Sequence, residues 1–197
     1  MERTPENRKQ RLTLLVVLVL NALLFLGLGA GGLLADSSAL LANAVDNGSD
    51  SAVYLISLIA IGRAIAWKQG AARLSGILLL VFAAGVLIDV GRRWWFGTEP
   101  VGWTMMGLAL VAAVVNLVCL MLLRRDKSGD VNMEAAETFS LNDFVSNGGI
   151  LVAGALVMWL DQAWPDLVVG VLVAAIAVKG GVEILRSASG GGDGPSR

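Results

Sequence analysis

Histidine is absent from the 197 residues, and cysteine occurs once, as Cys119 in "NLVCLMLL". The first absence removes the commonest transition-metal ligand. The second excludes any intramolecular disulfide, and on so apolar a run Cys119 reads as a small packing residue rather than a reactive thiol. Charged residues are only 16% of the chain, and no basic run is interleaved with aromatics, so nothing points to nucleic acid. There is no nucleophile–base arrangement and no glycine loop to cradle a phosphate. The chain therefore reads as neither an enzyme nor a holder of a cofactor.

What is present is apolar. Hydrophobic residues make up 56% of the chain and the mean hydropathy is +0.72. That profile predicts an all-α polytopic membrane protein with the lipid bilayer as solvent. The net charge of −1 matters less than where the charges sit. The first apolar run, Leu12–Leu34, follows "MERTPENRKQR" and exceeds the roughly 7–15 residues of a signal-peptide core, so it is expected to stay as a membrane span.

A helix needs about 20 residues to cross hydrocarbon about 30 Å thick. Leu12–Leu34, Trp103–Leu123 and Leu167–Ile184 satisfy this, and Leu74 to about Val90 comes close, anchored by Arg92, Arg93, Trp94 and Trp95. Two further stretches, 51–62 and 148–160, are too short alone. Extended back to Ser38 and to Phe139, they reach about 37 Å and about 33 Å at 1.5 Å per residue. Six transmembrane helices result, and the extensions draw "NAVDNGSD" and "SLNDFVSN" into the second and fifth. Interrupted hydrophobic segments in matching positions of two three-helix halves point to a transporter's binding site.

Lysine and arginine set the orientation. With the N-terminus inside, Arg3, Arg8, Lys9, Arg11, Arg63, Lys68, Arg73, Arg124, Arg125, Lys127, Arg186 and Arg197 fall on the cytoplasmic side, against Arg92 and Arg93 outside. Lys179 can snorkel inward. The expected organisation is a cytoplasmic segment (1–11), a six-helix transmembrane domain (12–187) and a disordered cytoplasmic tail (188–197), with no soluble domain after it. The expected location is the bacterial cytoplasmic membrane, with both termini cytoplasmic.

On a helix, Asn43, Asp46, Asn47 and Asp50 follow i, i+3, i+4, i+7 and share a face; Asp143 and Asn147 are again i and i+4, with Ser140 one turn earlier. Counted from the two membrane faces, the stripes reach comparable depth on antiparallel helices. An ionised carboxylate in hydrocarbon is expensive, and no lysine or arginine lies at that depth. Bound cations, bound protons or a water-filled cavity would each relieve the cost, and each describes a cation pathway. The bland readings are re-entrant stretches with the aspartates in wet loops, or protonated aspartates acting only as interhelical hydrogen-bond donors. Asp89 beside Arg92 and Arg93 reads as a local ion pair. Asn21 and Asn116 read as interhelical glue, and Gly27, Gly29, Gly31 and Gly32 as permitting close packing of the first helix.

Two motifs carry a family resemblance. "SALLANAVDNGSD" (Ser38–Asp50) and "NDFVSNGGI" around Asp143 resemble the second and fifth helices of the cation diffusion facilitators, six-helix exporters of divalent metals. "NALLF" at Asn21, "TEPVGW", Asn116 and "WPDLVVGVLVAAIAV" echo the same family in order, over about Leu12–Ser187. The chain looks closest to a short branch ending after the sixth helix, whose fifth helix reads N-D-x-x-x-N, as at Asn142, Asp143 and Asn147. The resemblance implies a cation-efflux transmembrane fold and metal ligation by Asp46, Asp50 and Asp143, with Asn147 as fourth ligand or neighbour. It also implies exchange of metal for protons, and a homodimer. The chain departs from the family pattern at Phe139, where members carry histidine or aspartate, at Asn43 for aspartate, and at Leu28 for glutamate. The family's histidine sites in an intracellular connection and a cytosolic domain are missing, so no regulation through such a domain is expected.

Carboxylate and amide oxygens suit manganese or ferrous iron, whereas the resemblance favours cobalt or zinc. The expected function is export of a first-row divalent ion against protons by alternating access. Two other readings stay open: a non-transporting membrane partner or sensor, and a passive cation channel.

Overall fold

The computed structural model describes residues 5–60, 65–125 and 131–190, with the side chains of 131–142 and of some residues at other helix ends outside the described set. Six helices follow in order: α1 (Pro5–Leu34), α2 (Ser38–Ala60), α3 (Ile65–Phe96), α4 (Gly102–Arg124), α5 (Val131–Leu160) and α6 (Trp164–Gly190). No strand occurs among the described residues. Connections of three to six residues cannot carry the chain across a membrane, so successive helices run antiparallel.

The helices outrun the apolar segments that announce them. α3 has 32 residues and α5 has 30, beginning well before Leu74 and Phe139. Lysine, arginine, glutamine and alanine are good helix formers, so a helix need not stop where its hydrophobicity does. α1 likewise starts at Pro5, a residue suited to the first helical position. α6 continues to Gly190, taking the first three residues expected in the tail; the rest of the tail, with Arg3, Arg63, Lys127 and Arg197, lies outside the described residues.

At the end of the bundle carrying the α1–α2, α3–α4 and α5–α6 turns, each first helix is closed by a left-handed residue: Asp36 (φ 51), Gly97 (φ 86) and Asp161 (φ 52). That conformation terminates a helix by letting the next N–H groups fold back. Ala35 N donates to Gly31 O at 2.8 Å, Ser37 N to Gly32 O at 2.9 Å and Gly97 N to Arg93 O at 2.9 Å. Val101 N donates to Ala35 O at 2.9 Å, tying the α3–α4 turn to the α1–α2 turn.

α2 is the hub: it packs against all five other helices. One apolar core, including Leu28, Leu40, Met105 and Ile150, lies among α1, α2, α4 and α5. A second, around Ala42, Leu79, Ala83 and Val173, joins α2 to the α3–α6 pair. A third, of Val17, Tyr54, Cys119 and Leu123, closes the other end of α1, α2 and α4. Buried Cys119 is thus the packing residue expected.

Close crossings depend on glycine. A Cβ on Gly102 would lie 2.7 Å from Gly154 O, and one on Gly76 would lie 3.1 Å from Gly181 O, so α4–α5 and α3–α6 touch backbone to backbone. The glycines of α1 contribute unequally. Gly32 meets the Leu41 backbone at 3.0 Å and Gly31 meets the Leu108 side chain, but Gly27 has nothing within 4 Å.

Leu23 and Leu26 on α1, Ile77 and Val81 on α3, Leu110 and Val114 on α4 and Val152 on α5 are exposed, an outer surface fit for hydrocarbon. Five of the helices are long and apolar enough to cross a membrane; α2 falls short on hydropathy because its polar stripe dilutes it. Trp94, Trp95, Trp103, Trp159 and Trp164 are exposed around the turn-bearing end, forming an aromatic belt of the kind found at a membrane interface.

Candidate functional site

The polar stripe of α2 faces inward. Asn43 and Asn47 are fully buried, and Asp46 and Asp50 are 9% and 6% exposed. A helix can hold them in line because no proline interrupts it, and Gly48 on the adjoining face accommodates the Phe25 ring of α1. From α5, Asp143 (1% exposed) and Asn147 (0%) enter the same space.

The two stripes meet in antiparallel register. Asn43 Nδ2 donates to Asn147 Oδ1 at 2.8 Å, and one turn along, the Asp46 and Asp143 side chains approach each other. Asp50 is close enough to interact electrostatically with both Asp46 and Asp143. The amides are oriented from their own helices: Asn47 Nδ2 donates to Asn43 O at 2.9 Å and Asn147 Nδ2 to Asp143 O at 2.8 Å. Asp50 Oδ2, Asp143 Oδ2 and Asn47 Oδ1 are buried without a hydrogen-bond partner among the described residues. Unused lone pairs at such depth are acceptors for a proton, a water or a cation.

The carboxylates do not form a closed coordination shell. Among the described residues no three His, Cys, Asp or Glu side chains are gathered closely enough to hold a metal ion. Nor does an ion pair reach Asp46, Asp50 or Asp143 among those residues. Phe139, Ser140 and Asn142 lie on α5, but their side chains fall outside the described set. Leu28, where the family pattern has glutamate, is 2% exposed within the first apolar core.

Two polar constellations at the turn-bearing end escape a reading by local spacing. Asp166, in the first turn of α6, accepts from Ser37 Oγ at 2.6 Å, Ser38 N at 2.7 Å and Ala39 N at 3.1 Å. A carboxylate from one helix thus caps the N-terminus of another, where the free N–H groups and the helix dipole favour negative charge. It holds α2, and so the polar stripe, at a fixed height against α6. Asp89 pairs with Arg92 (2.9 Å) and Arg93, but the pair expected to be local extends further. Arg93, 4% exposed, also grips the Asp36 carboxylate and carbonyl. Thr98 Oγ1 donates to Asp36 Oδ2 at 2.6 Å and Glu99 N to the same oxygen at 3.1 Å. Partial burial pushes the Asp36 carboxyl upward, but the Thr98 hydroxyl, the Glu99 N–H and the Arg93 guanidinium outweigh it, holding the group below the ordinary value of 3.8. Asp36 and Asp166 bond to partners far away in sequence; the only local hint was "PD" at the head of an apolar run, a helix-start signal.

Asn21 and Asn116 do not behave as interhelical glue. Asn21 Nδ2 donates to Val17 O of its own helix at 2.9 Å. Asn21 Oδ1 and both amide atoms of Asn116 are buried with no partner among the described residues.

The family model for the cation efflux transmembrane domain matches residues 14–190. Among curated relatives, the "cadmium, cobalt and zinc/H(+)-K(+) antiporter" of Bacillus velezensis is 24% identical over 170 residues, which is 79% of this chain and 54% of that protein. The zinc transporter ZitB of Yersinia pestis is 24% identical over 186 residues, 88% of this chain and 60% of its own. The metal cation efflux system protein CzcD of Cupriavidus metallidurans is 22% identical over 173 residues, 82% and 55% respectively. The chain therefore spans little more than half the length of these relatives.

Proposed function

The chain belongs to the cation efflux family, and from that premise we propose that it exports a divalent metal ion from the cytoplasm in exchange for protons, by alternating access. Asp46, Asp50, Asp143 and Asn147 contact the transported ion, with water completing its shell. The observation that carries this reading is the meeting of the α2 and α5 stripes in a buried space, through Asn43–Asn147 and Asp46–Asp143. A proton or a cation shared between the two neighbouring carboxyl groups would relieve their repulsion. The same oxygens that accept a cation when deprotonated therefore carry protons when the cation has left. This gives exchange a direct route: metal loads from the cytoplasm, the bundle reopens outward, and protons displace the metal and return inward.

The names of the relatives point to cadmium, cobalt and zinc. The oxygen-only donor set favours manganese or ferrous iron. The lysine and arginine distribution supports an orientation with both termini cytoplasmic, which makes the aromatic belt the outer one.

The test is metal-resolved uptake into inside-out vesicles, with and without a pH gradient. Proton-dependent accumulation is expected for the parent. Asp50→Asn should abolish it while inserting into the membrane normally, because Asp50 sits deepest in the stripe. Accumulation by that variant at the parent's rate would sink the reading. Uptake indifferent to the proton gradient would indicate a passive channel instead.

A further inference from the structure

Two of the three apolar cores lie within the α1, α2, α4, α5 group, and every helix of that group is polar where they part. On α1, Val17 belongs to one core and Leu24 to the other, with Asn21 between them. On α4 the boundary falls between Ala112 and Cys119, at Asn116; on α2 it falls between Ala44 and Tyr54, at Asp46, Asn47 and Asp50. On α5, Asp143 and Asn147 precede the apolar series that begins at Ile150. Cys119 lies within electrostatic reach of both Asp143 and Asp50. Asn116 lies three residues earlier, on the same side of α4 as Cys119, and is fully buried.

Asn21, Asn47 and Asn116 are 1%, 0% and 0% exposed. Among the described residues each keeps an amide oxygen without a partner, and Asn116 its nitrogen as well. Buried amides are ordinarily hydrogen-bonded, and an apolar side chain of the same shape would serve packing better. Three such oxygens from three helices, each at the boundary between the same two cores, are acceptors in want of a donor. A hydrated divalent cation supplies donors, since its bound waters point their hydrogens outward. We propose that Asn21, Asn47 and Asn116 form a second subsite, an amide layer that holds the water shell of the divalent cation while it reaches or leaves the carboxylates. The proposal rests on the transport reading above. The amides differ from the carboxylates in one useful respect: they do not titrate, so protons never compete with the ion's water there.

The test uses the full chain in proteoliposomes, with manganese and zinc as probes. It measures initial rates of proton-driven uptake and equilibrium metal binding to the purified protein. Asn116→Leu and Asn21→Leu remove the amides at nearly constant volume. Each should slow uptake by about tenfold, the worth of one lost hydrogen bond to a charged hydrate, while binding changes by less than about twofold because the carboxylates are intact. Uptake by both leucine variants at the parent's rate overturns the proposal. If a leucine variant fails to assemble, alanine at the same position decides by the same two measurements. A parent that binds and moves no metal would fail the transport reading itself; a parent that transports, matched by its leucine variants, would fail only the amide layer.

Discussion

Asn43 shows why a single departure from a family pattern need not stand alone. Its amide nitrogen donates to Asn147 Oδ1 at 2.8 Å, and Asn147 is held the right way round because its own nitrogen is committed to Asp143 O. A carboxylate at position 43 would set acceptor against acceptor. Asparagine on α2 and asparagine on α5 are therefore a matched pair. Asn43→Asp should destabilise the protein by about 1–3 kcal/mol, the cost of an unsatisfied buried polar group, measured by thermal unfolding in detergent. An unchanged midpoint would mean that the pair is dispensable.

For the helices, much was legible beforehand and some was not. The need for about 20 residues per crossing recovers α2 even though hydropathy alone does not count it among the spans. The i, i+4 spacing of Asp46 and Asp50, and of Asp143 and Asn147, gives the faces that meet. Spacing could not reveal Asp166 or Asp36, because their bonds join turns separated by 57 to 129 positions. Asp166→Ala would leave three donors at the head of α2 unpaired. It should cost about 2–4 kcal/mol, seen as a lower unfolding temperature, with Asp166→Asn losing less. Asp36 supplies a pH test. Its folded carboxyl lies below the ordinary 3.8, so its stabilisation is fully present above that value and lost as pH falls through the lower folded value. Unfolding midpoints followed downward from pH 5 should drop more steeply for the parent than for Asp36→Asn; parallel curves would assign no such role to the turn.

At the scale of the whole molecule, α1, α2, α4 and α5 form one group, while α3 and α6 pair with each other and reach that group through α2 and α5. The alternating access proposed above would work this boundary. A Cβ placed on Gly170 would lie 3.0 Å from Ser38 Cβ, close to disulfide reach after small adjustment. Ser38→Cys with Gly170→Cys, in a chain carrying Cys119→Ser, should cross-link α2 to α6 on oxidation. Transport should fall to background and return with reductant. Undiminished transport by the oxidised protein would mean that opening leaves these two helix ends together.

The hub position of α2 also bears on how the protein is made. A segment with two aspartates and two buried asparagines on one face partitions poorly into lipid on its own. During synthesis α2 leaves the ribosome before α5, its partner in the polar layer, and before α6, whose Asp166 caps it. Its residence in the bilayer is then conditional on chain that does not yet exist. Nascent chains arrested after α4 should hold α2 loosely or on the membrane surface, and only the arrival of the last two helices would commit it to cross.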